Sequence, residues 1–373
     1  MNFVIITHVQ HIKENSKFYG YAPYVSEMNI WLKYVNKVTV VAPIESSKLD
    51  TIHLAYQHKN LDFIAVSNFD TTSFLNSIQT LFKLPSILFY VFLAMKNADH
   101  IHLRCPGNMG LLGCFVQILF PKTPKTAKYA GNWDPNAKQP FSYTLQKWIL
   151  NNTFLTKNMQ VLVYGKWEGS SKNITPFFTA TYPESKKENI VPRSLKQQLN
   201  FVFVGTLSIG KMPLYAIQLV ENLKKHGVAV QLCIYGEGVL RTDLEKYIES
   251  NNLAAYIFLK GNQNKESIEQ AYKASHFMIL PSKSEGWPKV VAEAMFWASL
   301  PLTTNVSCVN YMIDDQKRGR LLNLTLEKDI RLVLDLIENE AEYIKMCEQA
   351  RNWSQHFTTE FFEKEIVKLL DHS

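Results

Sequence analysis

The chain has 373 residues, of which 46% are hydrophobic and 20% are charged, as is usual for a folded globular protein. This length suits two domains rather than one. No apolar stretch is long enough to span a membrane, so an integral membrane protein is not expected. The net charge of +7 is uneven, because residues 1–192 hold 19 Lys and Arg against 11 Asp and Glu. A basic half fits an anionic substrate or surface, or only a solvated basic face.

Cysteine usage and the first residues indicate the compartment. The five cysteines are scattered along the chain, without a CxxC pair. This pattern argues against a disulfide framework or a zinc site and favours a reducing compartment. The first residues turn polar after a short apolar run, unlike a signal peptide. We therefore expect a cytoplasmic protein without a metal cofactor.

The first half alternates short β-rich runs with longer helical patterns. Predicted strands are Phe3–Thr7, Val38–Ala42, Phe63–Val66, Ile101–Leu103, Ala127–Ala130 and Val161–Tyr164, and predicted helices are Pro23–Tyr34, Pro85–Lys96, Gly110–Phe120 and Phe141–Asn151. Such alternation predicts a parallel sheet with right-handed crossovers. The strongly apolar segment Leu84–Met95 is interpreted as a buried core helix, with a membrane-surface helix as the alternative.

A second alternating series follows the charged, proline-containing segment Tyr182–Gln198, which has the composition of a linker. Its predicted strands are Phe201–Val204, Gln231–Tyr235, Ile257–Leu259 and Phe277–Leu280, and its predicted helices are Leu214–Lys225, Leu240–Ser250, Ser267–Lys273 and Val290–Trp297. Closing helical patterns follow near Tyr343–Trp353 and Thr359–Leu370. The sequence thus predicts two doubly wound, Rossmann-like α/β domains that face a cleft. Their expected bounds are 1–192 and 193–355, followed by a C-terminal helical segment, 356–373.

The segment Ser282–Ser299 holds two carboxylates at a distinctive spacing. The run Phe277–Leu280 is predicted to be a strand, followed by a loop with Glu285 and a helix with Glu293. Eight residues of helix rise about 12 Å, so the two carboxylates suit the two ends of one long ligand. The N-terminus of the helix suits a phosphate between them. A sugar and a ribose joined by a diphosphate fit this arrangement.

A second candidate phosphate site follows the predicted strand Phe201–Val204. There Gly205 allows close approach of the backbone to a phosphate, and Lys211 could neutralise it. By itself this turn is a weak signal, since many strand–helix turns contain glycine. Gly236-Glu237-Gly238, after the next strand, is interpreted as a simple turn.

The order VGTLSIGK, IYGEG and LPSKSEGWPKVVAEAM resembles the C-terminal domain of retaining GT-B glycosyltransferases of group 1, family four, of the bacterial surface-polysaccharide type. The resemblance covers about Asn200 to Asp314. It implies that Glu285 contacts the donor sugar, that Glu293 contacts the ribose, and that Gly286 and the amides near Val290 border the sugar and diphosphate. It also implies a nucleotide-diphosphate sugar as donor, bound by the domain 193–355, and an acceptor bound by the domain 1–192. The C-terminal helix within 356–373 is then expected to cross back to the N-terminal domain.

One position departs from the family pattern. The family usually has an arginine directly after the glycine of the VG motif, where this chain has Thr206. Lys289 is the candidate replacement, because a cation in the first turn of a helix opposes the helix dipole unless an anion lies nearby. The family's usual histidine after a later strand is also absent.

The acceptor side is less clear from the sequence. The resemblance implies a glycine-containing loop facing the cleft, for which Lys17–Pro23, with Gly20 and Tyr21, is the candidate. Asn132 stands where the family often has its histidine and could donate a hydrogen bond, and Asp134 is either a base or a turn residue. Arg104 either binds an anionic acceptor or pairs with a carboxylate. His8 and His102 are given structural roles.

The predicted function is transfer of a sugar, with retention of configuration, to a saccharide or lipid-linked saccharide in cell-surface polysaccharide biosynthesis. Glu285, Lys211 and Asn132 are the predicted catalytic residues. The basic N-terminal half suggests a peripheral location at the inner face of a membrane, and no nucleic-acid partner is expected. The alternatives are a non-catalytic nucleotide-sugar-binding protein and a GT-B nucleotide-sugar hydrolase or epimerase. The sugar, base, acceptor and oligomeric state stay open.

Overall fold

The computed structural model describes residues 1–50, 52–67 and 74–371. These form two compact units. The first unit comprises Met1–Phe178 and the chain from Phe362 onward, and the second is Thr179–Phe361. The sequence pattern had placed the boundaries after residues 192 and 355.

The described part of the first unit is built on a parallel sheet. Its strands are β1 (Asn2–Ile6), β2 (His11–Glu14), β3 (Lys17–Tyr21), β4 (Lys37–Pro43), β5 (His53–Ala55), β6 (Leu61–Val66), β7 (His100–Cys105), β8 (Lys125–Tyr129), β9 (Met159–Tyr164) and β10 (Ile174–Phe177). Its helices are α1 (Ala22–Leu32), α2 (Phe74–Lys96), α3 (Asn108–Val116) and α4 (Phe141–Leu150). The main sheet has the strand order β10-β9-β8-β7-β1-β4-β6. Central β1 is buried on both faces, as its continuous apolar sequence predicts.

The second unit is a smaller parallel α/β unit. Its strands are β11 (Leu199–Val204), β12 (Val230–Tyr235), β13 (Ile257–Gly261), β14 (Phe277–Leu280), β15 (Leu300–Thr304) and β16 (Arg320–Leu322). Its helices are α5 (Pro213–Lys225), α6 (Arg241–Ser250), α7 (Lys265–Ala274), α8 (Lys289–Phe296), α9 (Val309–Ile313), α10 (Leu326–Glu338) and α11 (Glu340–Ser354). The strand order is β13-β12-β11-β14-β15-β16. The prediction of two Rossmann-like parallel-sheet domains is confirmed.

The proposed acceptor loop around Gly20 and Tyr21 is wrong as a loop. Lys17–Tyr21 is strand β3, which pairs antiparallel with β2 and β5 in a separate small sheet. Gly20 is buried, and a Cβ there would lie 3.1 Å from Val25 Cγ2. Glycine at this position therefore allows close packing onto α1, whereas the Tyr21 side chain is exposed.

From residue 82 onward, helix α2 has one buried face. Ile87, Val91 and Met95 pack into the core, whereas Phe82 and Phe89 are exposed. This is the periodicity of a helix lying on a sheet. Within the described ranges, none of the helices combines the length and apolar character needed to cross a membrane.

The charged segment predicted as a linker packs on the second unit. Lys186 Nζ lies 3.0 Å from Glu269 Oε2 on α7, and Glu188 pairs with Lys273 of the same helix. Arg351 of α11 donates to the carbonyl of Ile190. The charges that suggested a solvated linker are therefore partnered by side chains distant in sequence.

The last helix, α12 (Thr359–Asp371), starts at the end of the second unit and continues in the first. Within the first unit, Phe362 lies against Phe177 and Phe178, with ring centroids 5.5 and 5.6 Å away. Glu363 accepts hydrogen bonds from Lys33 (2.9 Å) and Tyr34 (2.7 Å). These contacts hold the returning chain on the first unit.

Candidate functional site

The direction of strand order in the second unit reverses between β11 and β14. From β11 the chain adds β12 and β13 on one side, and then returns to add β14, β15 and β16 on the other. In open parallel sheets, ligands bind beyond the carboxyl ends of the strands at such a reversal. The two loops singled out by sequence, Gly205–Lys211 and Ser282–Pro288, follow these two strands.

Backbone hydrogen bonds join the loops at this edge. Leu207 N donates to Glu237 O (2.9 Å), which ties the loop after β11 to the loop after β12. Lys283 N donates to Gly210 O (2.9 Å), which ties the same loop to the one after β14. Three consecutive loops along the sheet edge are therefore held in one arrangement without the use of side chains.

Gly236, interpreted from sequence as part of a simple turn, is required by close packing. Its φ is +135°, and a Cβ at this position would lie 2.0 Å from the carbonyl oxygen of Gly205. Any other residue would push the two loops apart. The loop after β12 therefore packs directly against the loop after β11 and holds it in place.

The structure brings Lys211 and Glu285 together. Lys211 Nζ donates to Glu285 Oε1, which joins the loop after β11 to the loop after β14 across the reversal. The Glu285 side chain is 9% exposed and that of Lys211 is 27% exposed. The pair presents one cation and one carboxylate side by side, which suits a phosphate oxygen next to a sugar hydroxyl.

Glu293 lies in α8 and is half-buried. Its Oε1 accepts a hydrogen bond from Thr181 Oγ1 (2.8 Å) and its Oε2 accepts one from the Tyr272 hydroxyl (3.4 Å). Burial raises the pKa of Glu293, although the Thr181 bond and the charge of Lys289 oppose the shift. A carboxylate whose ionisation is disfavoured in the folded chain costs stability, which favours a ligand-binding role.

The remaining predicted donor-site residues lie around this pair. Gly286 O accepts from Ser307 Oγ at 2.8 Å, which fixes the loop before α8. Helix α8 begins at Lys289, directly followed by Val290, and the charge of Lys289 acts on Glu293. Thr206 is exposed after β11. The exchange of roles between Thr206 and Lys289 stays a prediction.

The first unit has its own reversal of strand order, between β1 and β7. A pocket of about 230 Å³ lies there, at the carboxyl ends of β1, β4, β6 and β7. Its lining comprises His8, Pro43, Ser67, Gly107, Asn108, Met109 and Tyr143. These residues come from distant parts of the chain, and we call this space the His8 pocket.

His8 was given a structural role from sequence, but the structure places it in this pocket. Its ring packs tightly against Gly107, where a Cβ would lie 2.6 Å from His8 Nδ1. Burial and the positive charge of Arg104 lower the pKa of His8, against a hydrogen bond with the Arg104 backbone. The imidazole is therefore neutral near pH 7 and can accept a hydrogen bond. The sequence did not indicate that His8 lines a pocket, because a single histidine after a strand belongs to no recognisable motif.

Arg104 belongs to a buried charge cluster beside the pocket. Its Nη1 lies 3.8 Å from Glu27 Oε1, and Lys128 Nζ lies 3.6 Å from the same oxygen. Two cations share one carboxylate, so the cluster carries excess positive charge. Pairing with a carboxylate, one of the two sequence interpretations of Arg104, is what the structure shows. His102 is buried, with its Nδ1 2.9 Å from Thr126 Oγ1.

Asn132 and Asp134 lie in the loop after β8, where their side chains hold the backbone. Asn132 Oδ1 accepts from Asp134 N (2.9 Å), and Asp134 Oδ1 accepts from Asn136 N (2.8 Å). This is the turn role that sequence left open for Asp134. A part for either residue in the reaction stays a prediction.

No group of three or more His, Cys, Asp and Glu side chains that could hold a metal ion occurs among residues 1–50, 52–67 and 74–371. Metal-independent chemistry remains a prediction from the sequence.

The chain is similar to known glycosyltransferases. The family model described as "Glycosyl transferases group 1" matches residues 185–353, a wider span than the motifs alone suggested. An uncharacterized glycosyltransferase of Methanocaldococcus jannaschii is 27% identical over 128 residues, which cover 34% of this chain and 36% of that protein.

An Escherichia coli protein, UDP-Gal:alpha-D-GlcNAc-diphosphoundecaprenol alpha-1,3-galactosyltransferase, is 29% identical over 127 residues, or 33% of this chain and 32% of its own. The chain thus spans about a third of the length of these relatives. The crystal structure of Anabaena HepE with UDP superimposes with a TM-score of 0.69 at 13% identity, covering 100% of this chain and 99% of that one. At this identity the likeness concerns the fold.

Proposed function

We propose that this chain transfers a sugar from a nucleotide-diphosphate sugar to a saccharide or lipid-linked saccharide. The proposal is supported by the match of residues 185–353 to the group 1 glycosyl transferases and by the GT-B fold. The observation that carries this proposal is the ion pair of Lys211 and Glu285 at the strand reversal of the second unit. It offers a cation for the diphosphate and a carboxylate for the sugar at the place where the fold favours a ligand.

The second unit binds the donor in this proposal. Lys211 neutralises the diphosphate, helped by the amides at the start of α8 near Val290 and by Lys289. Glu285 binds sugar hydroxyls, bordered by Gly286, while Gly205 and Thr206 give the diphosphate room to approach the backbone. Glu293 accepts hydrogen bonds from the ribose hydroxyls. UDP is the first candidate nucleotide, because HepE was crystallised with it.

The transfer breaks the bond between the anomeric carbon and the diphosphate oxygen, which leaves with the electron pair. The acceptor oxygen forms the new bond to that carbon, and its proton passes to the departing diphosphate. Retention of configuration follows if both events occur on one face of the sugar. The protein contributes positioning and stabilisation of the leaving charge by Lys211, without a metal or cofactor.

The acceptor binds to the first unit, at the His8 pocket. His8 accepts a hydrogen bond from the reacting hydroxyl, and Arg104 supplies positive charge for an acceptor with a phosphate. A diphosphoundecaprenol-linked sugar, named for the Escherichia coli relative, has this chemistry. Cell-surface polysaccharide biosynthesis at the cytoplasmic face of a membrane is the setting we propose on this basis.

The first experiment is a thermal-shift screen with UDP-, GDP- and ADP-sugars, since a ligand that binds only the folded state raises its stability. The donor found is then incubated with glycan acceptors, and the linkage of the product is determined by NMR. A new α-linkage from an α-linked donor supports retention. Donor binding without transfer to any acceptor would instead favour the non-catalytic binding protein. Donor breakdown without acceptor would favour a hydrolase.

A further inference from the structure

A second pocket of the first unit lies along α4, whose first turn also lines the His8 pocket. Its volume is about 590 Å³, within the range of ligand sites. Tyr143 of α4 lines the His8 pocket, whereas Thr144, Lys147 and Trp148 of the same helix line this one. We call it the Trp148 pocket.

The Trp148 pocket opens at the carboxyl edge of the parallel sheet. Its walls are the loop after β8, with Trp133, helix α4, and the loop after β9, with Glu168. Because the His8 pocket also lies at this edge and both pockets are lined by α4, the two are neighbouring sites in the first unit. A ligand longer than one sugar can extend from one towards the other.

An aromatic ring and a carboxylate face this space. The Trp148 side chain is 60% exposed, although tryptophan is usually well buried. Glu168 is also exposed, on the facing loop. Trp133, which is 5% exposed, packs edge-on against Tyr129 at 4.9 Å between centroids and forms the floor.

The other polar walls are fixed by local hydrogen bonds. Lys147 Nζ donates to Asp134 O at 2.9 Å, so α4 is fastened to the loop after β8. Asn151 Oδ1 accepts from Ser171 N at 3.0 Å, which fastens the end of α4 to the chain after β9. A pocket with walls already ordered loses little entropy when it binds a ligand.

These features match the chemistry of a sugar ring. A pyranose has C–H groups on one face, which suit the electron-rich face of an indole, and hydroxyls around its rim, which suit a carboxylate and amides. A lipid surface would instead require a convex apolar patch rather than a recess with a carboxylate at its wall. The mixed lining therefore favours a saccharide.

We propose that the Trp148 pocket is a binding site for a second sugar of the acceptor, one or more units away from the hydroxyl that reacts. This rests on the proposed transferase function for its biological meaning. The preferred acceptor is then an oligosaccharide or growing polysaccharide rather than a single sugar.

Binding is tested first without donor, with the full-length protein on an array of immobilised oligosaccharides. Wild type is expected to capture a subset of them, and Trp148→Ala to bind these at least about tenfold more weakly. Trp148→Phe should retain most of the affinity, and Glu168→Gln should lose part of it. Phe154→Ala is the matched control, because Phe154 is a 76% exposed aromatic residue outside the lining of this pocket.

Capture of no glycan by wild type, or equal capture by wild type and Trp148→Ala, would overturn the proposal. The proposal would also be overturned if Trp148→Ala weakened binding to vesicles of phosphatidylethanolamine and phosphatidylglycerol but left glycan capture unchanged. The site would then be a lipid contact. In transfer assays, Trp148→Ala should raise KM for a tetrasaccharide acceptor and leave KM for the matching monosaccharide unchanged. Glycan capture without transfer from any donor would refute the transferase function but not the sugar site.

Discussion

The two units have reversals of strand order in equivalent places, but they build the edge of the sheet differently. In the second unit, consecutive loops are joined by main-chain hydrogen bonds, and Gly236 lets them approach closely. In the first unit, the His8 pocket is lined by side chains from the ends of four strands and from two helices. Loops held by main-chain bonds suit a ligand group that does not vary, such as a diphosphate. A side-chain site can change its ligand by substitution, as acceptor specificity requires.

The largest effect is expected at the ion pair of the second unit. Lys211→Ala removes the cation proposed to stabilise the leaving diphosphate, so kcat should fall about 10²- to 10³-fold. Lys225→Ala is the matched control, because Lys225 also pairs with a nearly buried carboxylate, Glu221, at 2.6 Å. The control should lose stability but keep its rate. Equal rate losses in both variants would show that Lys211 acts only through folding.

His8 is the corresponding test of the first unit. His8→Gln should lower kcat about 10- to 100-fold through lost positioning of the acceptor, while donor affinity stays unchanged. Since the pKa of His8 lies below 6.5, with Arg104 and Tyr143 nearby, wild-type activity should fall on acidification below pH 6.5 as the imidazole gains a proton. The variant should lack that fall. His58→Gln, whose wild-type ring bonds the Val35 carbonyl, is the control.

A smaller effect is expected at Lys289. If it replaces the cation missing at Thr206, Lys289→Ala should weaken donor binding about two- to fivefold, more at low salt. Thr206→Arg in the Lys289→Ala background should then restore affinity, measured by calorimetry. Donor affinity unaffected by Lys289→Ala but abolished by Lys211→Ala would rule out the replacement.

We expect Glu293, proposed to bind the donor, to lower the stability of the folded chain at neutral pH. Its raised pKa means that the folded state holds its proton more tightly, so its contribution to stability is lost as pH rises above the unfolded value of 4.5. Glu293→Gln should therefore raise the melting temperature by roughly 2–4 °C at pH 7 while donor affinity falls.

Glu269→Gln should have the opposite effect on stability. Burial alone would raise the pKa of Glu269, but hydrogen bonds with Lys186 and Lys273 lower it, so its stability contribution is present at neutral pH and lost on acidification. The variant should lose about 1–3 kcal/mol at pH 7. The same sign for both variants in thermal unfolding would contradict this account of Glu293.

The second unit was more predictable from sequence because each of its main site residues lies within a short motif. Strand β14 was predicted with its exact bounds, Phe277–Leu280, and the partners Lys211 and Glu285 lie in loops that short motifs identify. Missing from the prediction were β15, β16, α9 and α10. The His8 pocket of the first unit was not predicted from sequence, because its lining residues are spread between positions 8 and 143 and meet only in the folded chain. Short β3, with its half-exposed residues, had the composition of a loop.

The path of the chain through the two units has a consequence for synthesis on the ribosome. The second unit is continuous, but Phe362 and Glu363, which pack on the first unit, are translated after all of it. At about 5–20 residues per second, the first unit waits roughly 10–40 s for them. During this time Phe177 and Phe178 lack Phe362, the ring that lies against both of them. We therefore expect the nascent first unit to expose apolar surface there until its last helix arrives.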